Sequence, residues 1–398
     1  MISEFTTVEG RLPAFYTLLI ILGGFVGMAA AAFFYVEIYG HGVTGMNNKV
    51  VWGLPHIFAI AMLVMASGAL NLGSMSTIFA AKQFKQFGRF SAYLAVALLI
   101  GGLAVLLFDL GRPDRMLLAM MYYNFSSMFS WNVILYTGFM MLCLLYLWTM
   151  FEAQKYTKVV GSAAFFWRLV LTTGTGSIFG VIHAREVFHS AITGPTFIAV
   201  SLSSGTAVSI LLLVATYKAA GLEMDKKLVF GLRNALIFFL LLVLYFLFVE
   251  KFVKFYSPAF YDVETWILTG PLAWLYWGGV ILAGIVAPLG ILFNSTLGNT
   301  VKGVMWGSAL AVIGEFAFVA HVLIAGQSYP FNMFPGYEVS SVFQDGMAAT
   351  YSPTLPELVL GLGGVAIAGL IYLLGIRFLR LLPEKAVVPK GWDVPWNP

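Results

Sequence analysis

Residues 90–109 read FSAYLAVALLIGGLAVLLFD, nineteen residues without a charge closed by an aspartate. At 1.5 Å per residue such a run makes a helix of roughly 30 Å, the thickness of a bilayer's hydrocarbon core. Apolar runs of similar length recur on both sides of it. They lie at about 12–38, 52–80, 90–109, 130–151, 164–190, 195–217, 229–252, 269–293, 303–326 and 355–380. We read them as ten transmembrane helices, giving an all-α polytopic membrane protein with one integral membrane domain over residues 1–398.

Composition agrees with the runs. The sequence is 60% hydrophobic and 10% charged, where a soluble domain carries roughly 25% charge. Mean hydropathy is +0.89. The 35 Phe, 18 Tyr and 10 Trp suit membrane interfaces and bundle interiors, and the 41 Gly suit close helix approach in lipid. The first run follows Glu4 and Glu9 rather than a basic stretch and is too long for a signal peptide's apolar region, so it reads as a retained helix. No internal repeat or low-complexity tract is present. Two connections are long. Gly111 to Phe129 reads as an amphipathic surface segment, and Gln327 to Pro353, with Pro330, Pro335 and Pro353, as an ordered cap or partner contact.

A single cysteine, Cys143, excludes an internal disulfide and the usual thiolate set of an iron–sulfur cluster, and no C-x-x-C-H attaches a c-type haem. Of the five histidines, His41, His56, His183, His189 and His321, only His56 and His183 are placed at similar depth, short of the four facing ligands of a membrane diheme protein. No metal, haem or cluster is therefore expected in this chain. Lys and Arg set the orientation. Sixteen of the 22, Arg11, Arg168 and Lys390 among them, fall on the side of both termini, and six, Lys49, Arg112, Arg115, Arg185, Lys251 and Lys254, on the other. This bias predicts a multi-pass protein of the cell's inner (cytoplasmic) membrane with both termini cytoplasmic.

Ionisable and polar groups inside spans are costly and need a partner or a task. Here they gather at the outer ends of helices 2 to 5. Trp52 and His56 stand one turn apart, Asp109 ends helix 3 before Arg112, Asn132 opens helix 4, and His183, Arg185, Glu186 and His189 close helix 5. On a continuous helix His183, Glu186 and Ser190 share a face, with His183 just inside the boundary, where a lipid-soluble ligand's polar head would sit. Blander readings stand beside these. Asp109 and Arg112 can close a turn as an ion pair, His56 can satisfy a carbonyl, and Arg185 and His189 can meet headgroups. Glu315 and His321, about 240° apart on helix 9, share no face, and Glu315 is expected to bond a neighbouring helix. Glu250, Lys251 and Lys254 read as an interfacial helix end.

Five stretches resemble the NrfD/PsrC family, the membrane subunits of polysulfide reductase and related complexes. They are Gly42–Met46 with Val51–Gly53, then Phe108–Pro113, then Asn124 to Trp131, then Ile182–His183, and last Gly326–Gln327 with Tyr351–Glu357. Length and span count look closest to the ten-helix DsrP/HybB-type branch. The resemblance implies a quinone-reactive membrane anchor with a four-helix quinone-binding bundle formed by helices 2–5, taking menaquinone or ubiquinone near the outer face. It also implies a four-cluster ferredoxin-like iron–sulfur partner outside, and beyond it a molybdopterin-type or other catalytic subunit, with lipid around and no nucleic acid. Many relatives carry Asp or Glu early in helix 4, where this chain has Asn132, an amide that exchanges no proton at neutral pH.

Quinol oxidation releases two electrons and two protons. On this reading His183 accepts a proton, Asp109 or Glu186 passes it on, and His56, Trp52, Arg112 and Asn132 surround the quinone head. The protein would then be the quinone-reacting subunit of a multi-subunit oxidoreductase, without the terminal substrate chemistry. A secondary transporter, which would show inverted repeats and midplane broken helices, and a purely structural anchor without a quinone site are the alternatives.

Overall fold

A computed structural model of the protein describes residues 4–8, 12–79, 81–330, 346–389 and 391–396. Glu9, Arg11, Pro335 and Lys390 lie outside them. Ten long helices order the described residues. They are α1 (Leu12–Tyr39), α2 (Leu54–Thr77, interrupted at Leu70), α3 (Gly88–Phe108), α4 (Met128–Phe151), α5 (Thr157–Gly180), α6 (Thr193–Ala220), α7 (Lys226–Tyr256), α8 (Leu275–Phe293), α9 (Val301–Ser328) and α10 (Leu355–Phe378). Two short helices, Met116–Met121 and Pro258–Thr269, lie in connections.

Among the described residues nine of these helices are both long and apolar enough to cross a bilayer, and α5 falls outside that set. Its 24 residues still reach about 36 Å. Hydrogen bonds at the helix ends show that it runs from one end of the molecule to the other. Before its start, Arg89 donates to the carbonyls of Met150 and Arg380, at the end of the molecule where Gln86 donates to Val387. Beyond its finish, Arg185 donates to the Gln327 carbonyl and Lys254 to that of Val187, at the opposite end.

The α5 boundaries differ from the expected 164–190. The helix ends at Gly180 because tertiary partners take over the backbone. Phe188 folds back, 4% exposed, against Phe179 at 5.6 Å between ring centroids, and the Ser190 N–H returns to the Gly180 carbonyl. The expected shared helical face of His183, Glu186 and Ser190 does not exist, since all three follow the helix end. At the other end, Arg168 stands mid-span rather than at the inner boundary. It is 3% exposed, donates to the Ser67 carbonyl at 3.0 Å and bonds the Asn71 side chain. Removing it leaves fifteen basic residues against six. The expected helix 269–293 begins later, as α8 at Leu275, after the short Pro258–Thr269 helix, and its Leu275–Val286 part is a π-helix.

Packing forms two rings of four. Helices α2, α3, α4 and α5 close one, and α6, α7, α8 and α9 the other, with α10 and then α1 along the α2–α3 side. The rings meet where Gly68 of α2 faces α6: a Cβ there would lie 1.7 Å from the Ser201 carbonyl oxygen, so only glycine allows the approach. Short strands tie the end that carries both termini, Phe5–Thr6 to Leu382–Pro383 and Glu223–Met224 to Lys385–Ala386.

Candidate functional site

The five stretches that carry the family resemblance, far apart along the sequence, converge at the end of the first ring opposite the termini. Glu357, in the first turn of α10, is fully buried and accepts from the Gly45 N–H at 3.1 Å, the Thr354 N–H at 2.7 Å and the Tyr351 hydroxyl at 2.8 Å. That hydroxyl accepts in turn from the Leu54 N–H at 2.6 Å. Gln327 completes the clamp. Its carbonyl accepts from the Val51 and Trp52 N–H groups at 2.9 and 3.0 Å, and its amide donates to the carbonyls of Trp52 and Leu323. A Cβ at Gly53 would lie 2.5 Å from Glu357 Oε1, so the residue before α2 must be glycine for the clamp to close.

The clamp fixes the start of α2, and with it Trp52 and His56. His56 Nδ1 lies 3.1 Å from Asp109 Oδ2, while His41 Nε2 lies 3.8 Å from Oδ1 and donates to the Asp109 carbonyl at 3.1 Å. Since a carbonyl only accepts, His41 carries its proton on Nε2. The Asp109 side chain is 3% exposed and that of His41 39%, so the group of three runs from the interior to the surface. His56 Nδ1 and Asp109 Oδ1 are buried without an aligned hydrogen bond. Asp109 caps α3 from just beyond its last residue. Burial pushes its carboxyl up to about 7, with His41 opposing the rise and Glu357 adding to it. The carboxyl can therefore take or release a proton near neutral pH.

Trp52 roofs the group. Its ring lies 6.4 Å from His56, 5.9 Å from Phe129 and 5.6 Å from Phe179, joining the ends of α2, α4 and α5. Asn132, buried in α4, donates to the carbonyls of Met128 and Gly174 and accepts from Thr175 at 3.4 Å. Its amide thus joins α4 to α5.

Other candidates stand apart. Arg112 does not pair with Asp109; it forms a two-pronged exposed bridge to Asp114 at 3.0 Å. His183 is exposed beyond α5, its ring 4.2 Å from that of His189, and Glu186 is exposed on the same turn. Among the described residues no ring contact or hydrogen bond joins His183 to Trp52, His56 or Asp109. Sequence reading missed His41, Tyr351 and the role of Glu357. The only available signal for His41 was its place directly before the Gly42–Met46 stretch, while Tyr351 and Glu357 sat inside a quoted stretch without an assigned task.

Comparison with known proteins follows the same outline. Residues 42–330 match the family described as "Polysulphide reductase, NrfD". The sequence is 31% identical to the Hdr-like menaquinol oxidoreductase integral membrane subunit of Archaeoglobus fulgidus, over 97% of its own length and 98% of that relative. It is 22% identical to the C subunit of selenate reductase from Mesobacillus selenatarsenatis, over 92% and 94% of the two proteins. It is also 22% identical to the C polypeptide of polysulfide reductase from Wolinella succinogenes, over 71% and 96%. The matched region spans the clamp up to Gln327, the His41–His56–Asp109 group save His41 itself, and both helix rings, so the protein belongs to the NrfD polysulphide reductase family of polytopic membrane proteins.

Proposed function

We propose that this protein is the quinone-reacting membrane subunit of a respiratory oxidoreductase complex. The observation that carries the reading is the buried carboxyl–imidazole pair of Asp109 and His56 at the outer end of the α2–α5 ring, each with an atom lacking an aligned hydrogen bond. A quinone head, menaquinone or ubiquinone, offers two oxygens to such atoms and a flat ring to Trp52. The name of the Archaeoglobus relative, a menaquinol oxidoreductase subunit, supports the same ligand class.

When bound, the quinol supplies two electrons and two protons. The residues present handle the protons. His56 and Asp109 accept them beneath Trp52, and His41, half open to solvent, leads them to the outer surface. A single cysteine supplies no thiolate set for a cluster in this chain, so the electrons would pass to an acceptor in a partner protein. An iron–sulfur subunit, of the four-cluster ferredoxin-like type, is proposed on the outer face. It would dock over the Gly111–Phe129 connection, which exposes Leu118, Met121, Tyr122 and Phe125 beside the site. The reductase names of the relatives favour a catalytic subunit beyond it, molybdopterin-type or other. His183, Arg112, Glu186 and Asn132 enter as rim and support, with His56 and Asp109 in the proton-accepting role first assigned to His183.

The test is the native complex purified in mild detergent, with its quinone extracted and quantified. Bound quinone that is lost in His56→Ala, with partner subunits retained, is the expected result. A complex that holds no quinone and oxidises quinol at full rate with Asp109→Asn would sink the reading.

A further inference from the structure

The second helix ring, which the quinone reading leaves without a task, holds its own line of buried ionisable groups. Of nine buried side-chain polar atoms without an aligned hydrogen bond among the described residues, five lie on α9: Ser308 Oγ, both Glu315 oxygens, His321 Nδ1 and Ser328 Oγ. Glu315 is 3% exposed. It stands about 20 Å from either end of α9, by the helical rise. The expected bond to a neighbouring helix is not aligned at either oxygen. Ser204 of α6 stands beside the carboxyl, but its hydroxyl donates to the Val200 carbonyl at 2.8 Å. An unpaired charge at that depth costs several kcal/mol, and the form cheapest to bury is the neutral acid.

Toward the outer face the surroundings become charged. Lys251 donates to Glu264 at 2.7 Å, and Lys254 lies 3.4 Å from Glu264 and 3.6 Å from Glu250. Glu264 is fully buried and Lys254 5% exposed, so this is an interior cluster rather than the interfacial helix end expected. His321 faces it, its ring 5.0 Å from that of Tyr276. Both rings belong to π-helical segments, Leu275–Val286 and His321–Ala325. Such widened turns are rare and frequent at functional sites.

Three cavities follow this line. One of about 20 Å³ adjoins Glu315, one of about 50 Å³ adjoins His321 and the lysine–glutamate cluster, and one of about 240 Å³ opens beside Glu186 and Asp262 on the outer side. Phe318 borders both the first and the second, and Val187 both the second and the third. Each exceeds the roughly 10–15 Å³ that one water needs by this measure.

We propose that α9 lines a proton relay, separate from the His56–Asp109 site, in which Glu315 holds a proton at mid-membrane and exchanges it with the outer face through His321 and the Lys251–Lys254–Glu264 cluster. The Glu315 O–H bond breaks, the proton crosses past Phe318 to form an N–H bond at His321 Nδ1, and the other ring nitrogen releases a proton outward. The two lysines and the two glutamates, Glu250 and Glu264, balance, so the cluster adds no net charge beside the imidazole, which holds the extra proton only in transit. The relay stands whether or not the quinone reading does.

Infrared spectroscopy of the full-length protein in lipid nanodiscs tests it. At neutral pH a protonated-carboxyl C=O band that disappears in Glu315→Gln is expected, and in D2O that band should shift promptly. In His321→Phe the shift should be slower by about 10²-fold, the usual effect of removing one proton-transfer group. Lys251→Met serves as the second variant should His321→Phe fold poorly, and Asp109→Asn should leave the exchange unchanged. The proposal falls if Glu315→Gln removes no such band, if the wild-type band never shifts in D2O, or if both relay variants exchange at the wild-type rate.

Discussion

Asp109 draws two distant segments together: His56 from α2 and His41 from the first connection both reach it. Replacing either member of the buried pair should lower quinol-linked turnover by about 10²-fold or more, the usual loss when a proton acceptor is removed. His183→Ala should retain most of its turnover, since that imidazole is exposed beyond α5. Steady-state assays on assembled complexes distinguish the two, and a His183→Ala loss equal to that of His56→Ala would return the role to His183. The pH dependence has a definite sign. A carboxyl pushed up to about 7 is ionised above that pH and accepts a proton only then. Turnover in the quinol-oxidising direction should therefore fall as pH drops through about 7. Asp109→Asn should be slow and flat across that window, and a wild-type profile without a fall there would contradict the assignment. Gln327 acts one step back. Gln327→Ala strands the Val51 and Trp52 N–H groups. Leaving a buried donor unpaired costs about 1–3 kcal/mol, so melting should occur earlier and quinol KM should rise more than kcat falls.

At the scale of elements, helix identity and helix extent have different causes. An uncharged run such as 90–109 becomes a helix wherever it meets lipid, because the backbone has no other way to satisfy its polar groups there. Its ends, by contrast, are set by neighbours. The α5 helix stops at Gly180 because Phe188, Arg185 and the Val187 carbonyl find partners on α5 itself, α9 and α7. Contact between rings depends on α2 and α6 approaching at Gly68, and a Cβ there meets backbone rather than a yielding side chain. Gly68→Ala should cost about 1–3 kcal/mol or more, the range for an overpacked interior. Gly24→Ala on α1, where a Cβ meets nothing within 4 Å, should be neutral or slightly stabilising. Thermal melts of the two variants in the same detergent provide the comparison, and equal midpoints would refute the close approach.

For the whole molecule, the pairing of Phe5–Thr6 with Leu382–Pro383 brings both ends of the described residues to one side, and fifteen basic residues against six predict that this side is cytoplasmic by the positive-inside rule. A C-terminal alkaline phosphatase fusion should be inactive and a fluorescent-protein fusion bright. The reverse would place the His41–Asp109 surface toward the cytoplasm and move the proposed iron–sulfur partner with it. Partner crosslinks are expected from the Gly111–Phe129 connection and not from Lys82 to Arg89 at the opposite end. The expectation for the Gln327–Pro353 connection concerns residues 331–345, which lie outside those described.

Class of fold, span count and the end of the bundle where chemistry gathers are local properties. Hydropathy, window length and the positions of His56, Asp109 and Asn132 near run ends are written residue by residue. Partnership is not local. Asp109 stands three residues from Arg112 in sequence yet lies against histidines 53 and 68 residues away, while Arg112 takes Asp114 at the surface. His183 read as a helix-face residue because apolar character continues past Gly180, although the helix does not. Arg168 read as an interfacial cation because nothing nearby in sequence announces the Ser67 carbonyl and Asn71 that hold it mid-membrane. Hydrophobicity, summed along a sequence, decides what enters lipid. Hydrogen-bond partners are chosen by which helices the packing brings together, and for these residues only the tertiary structure decided that.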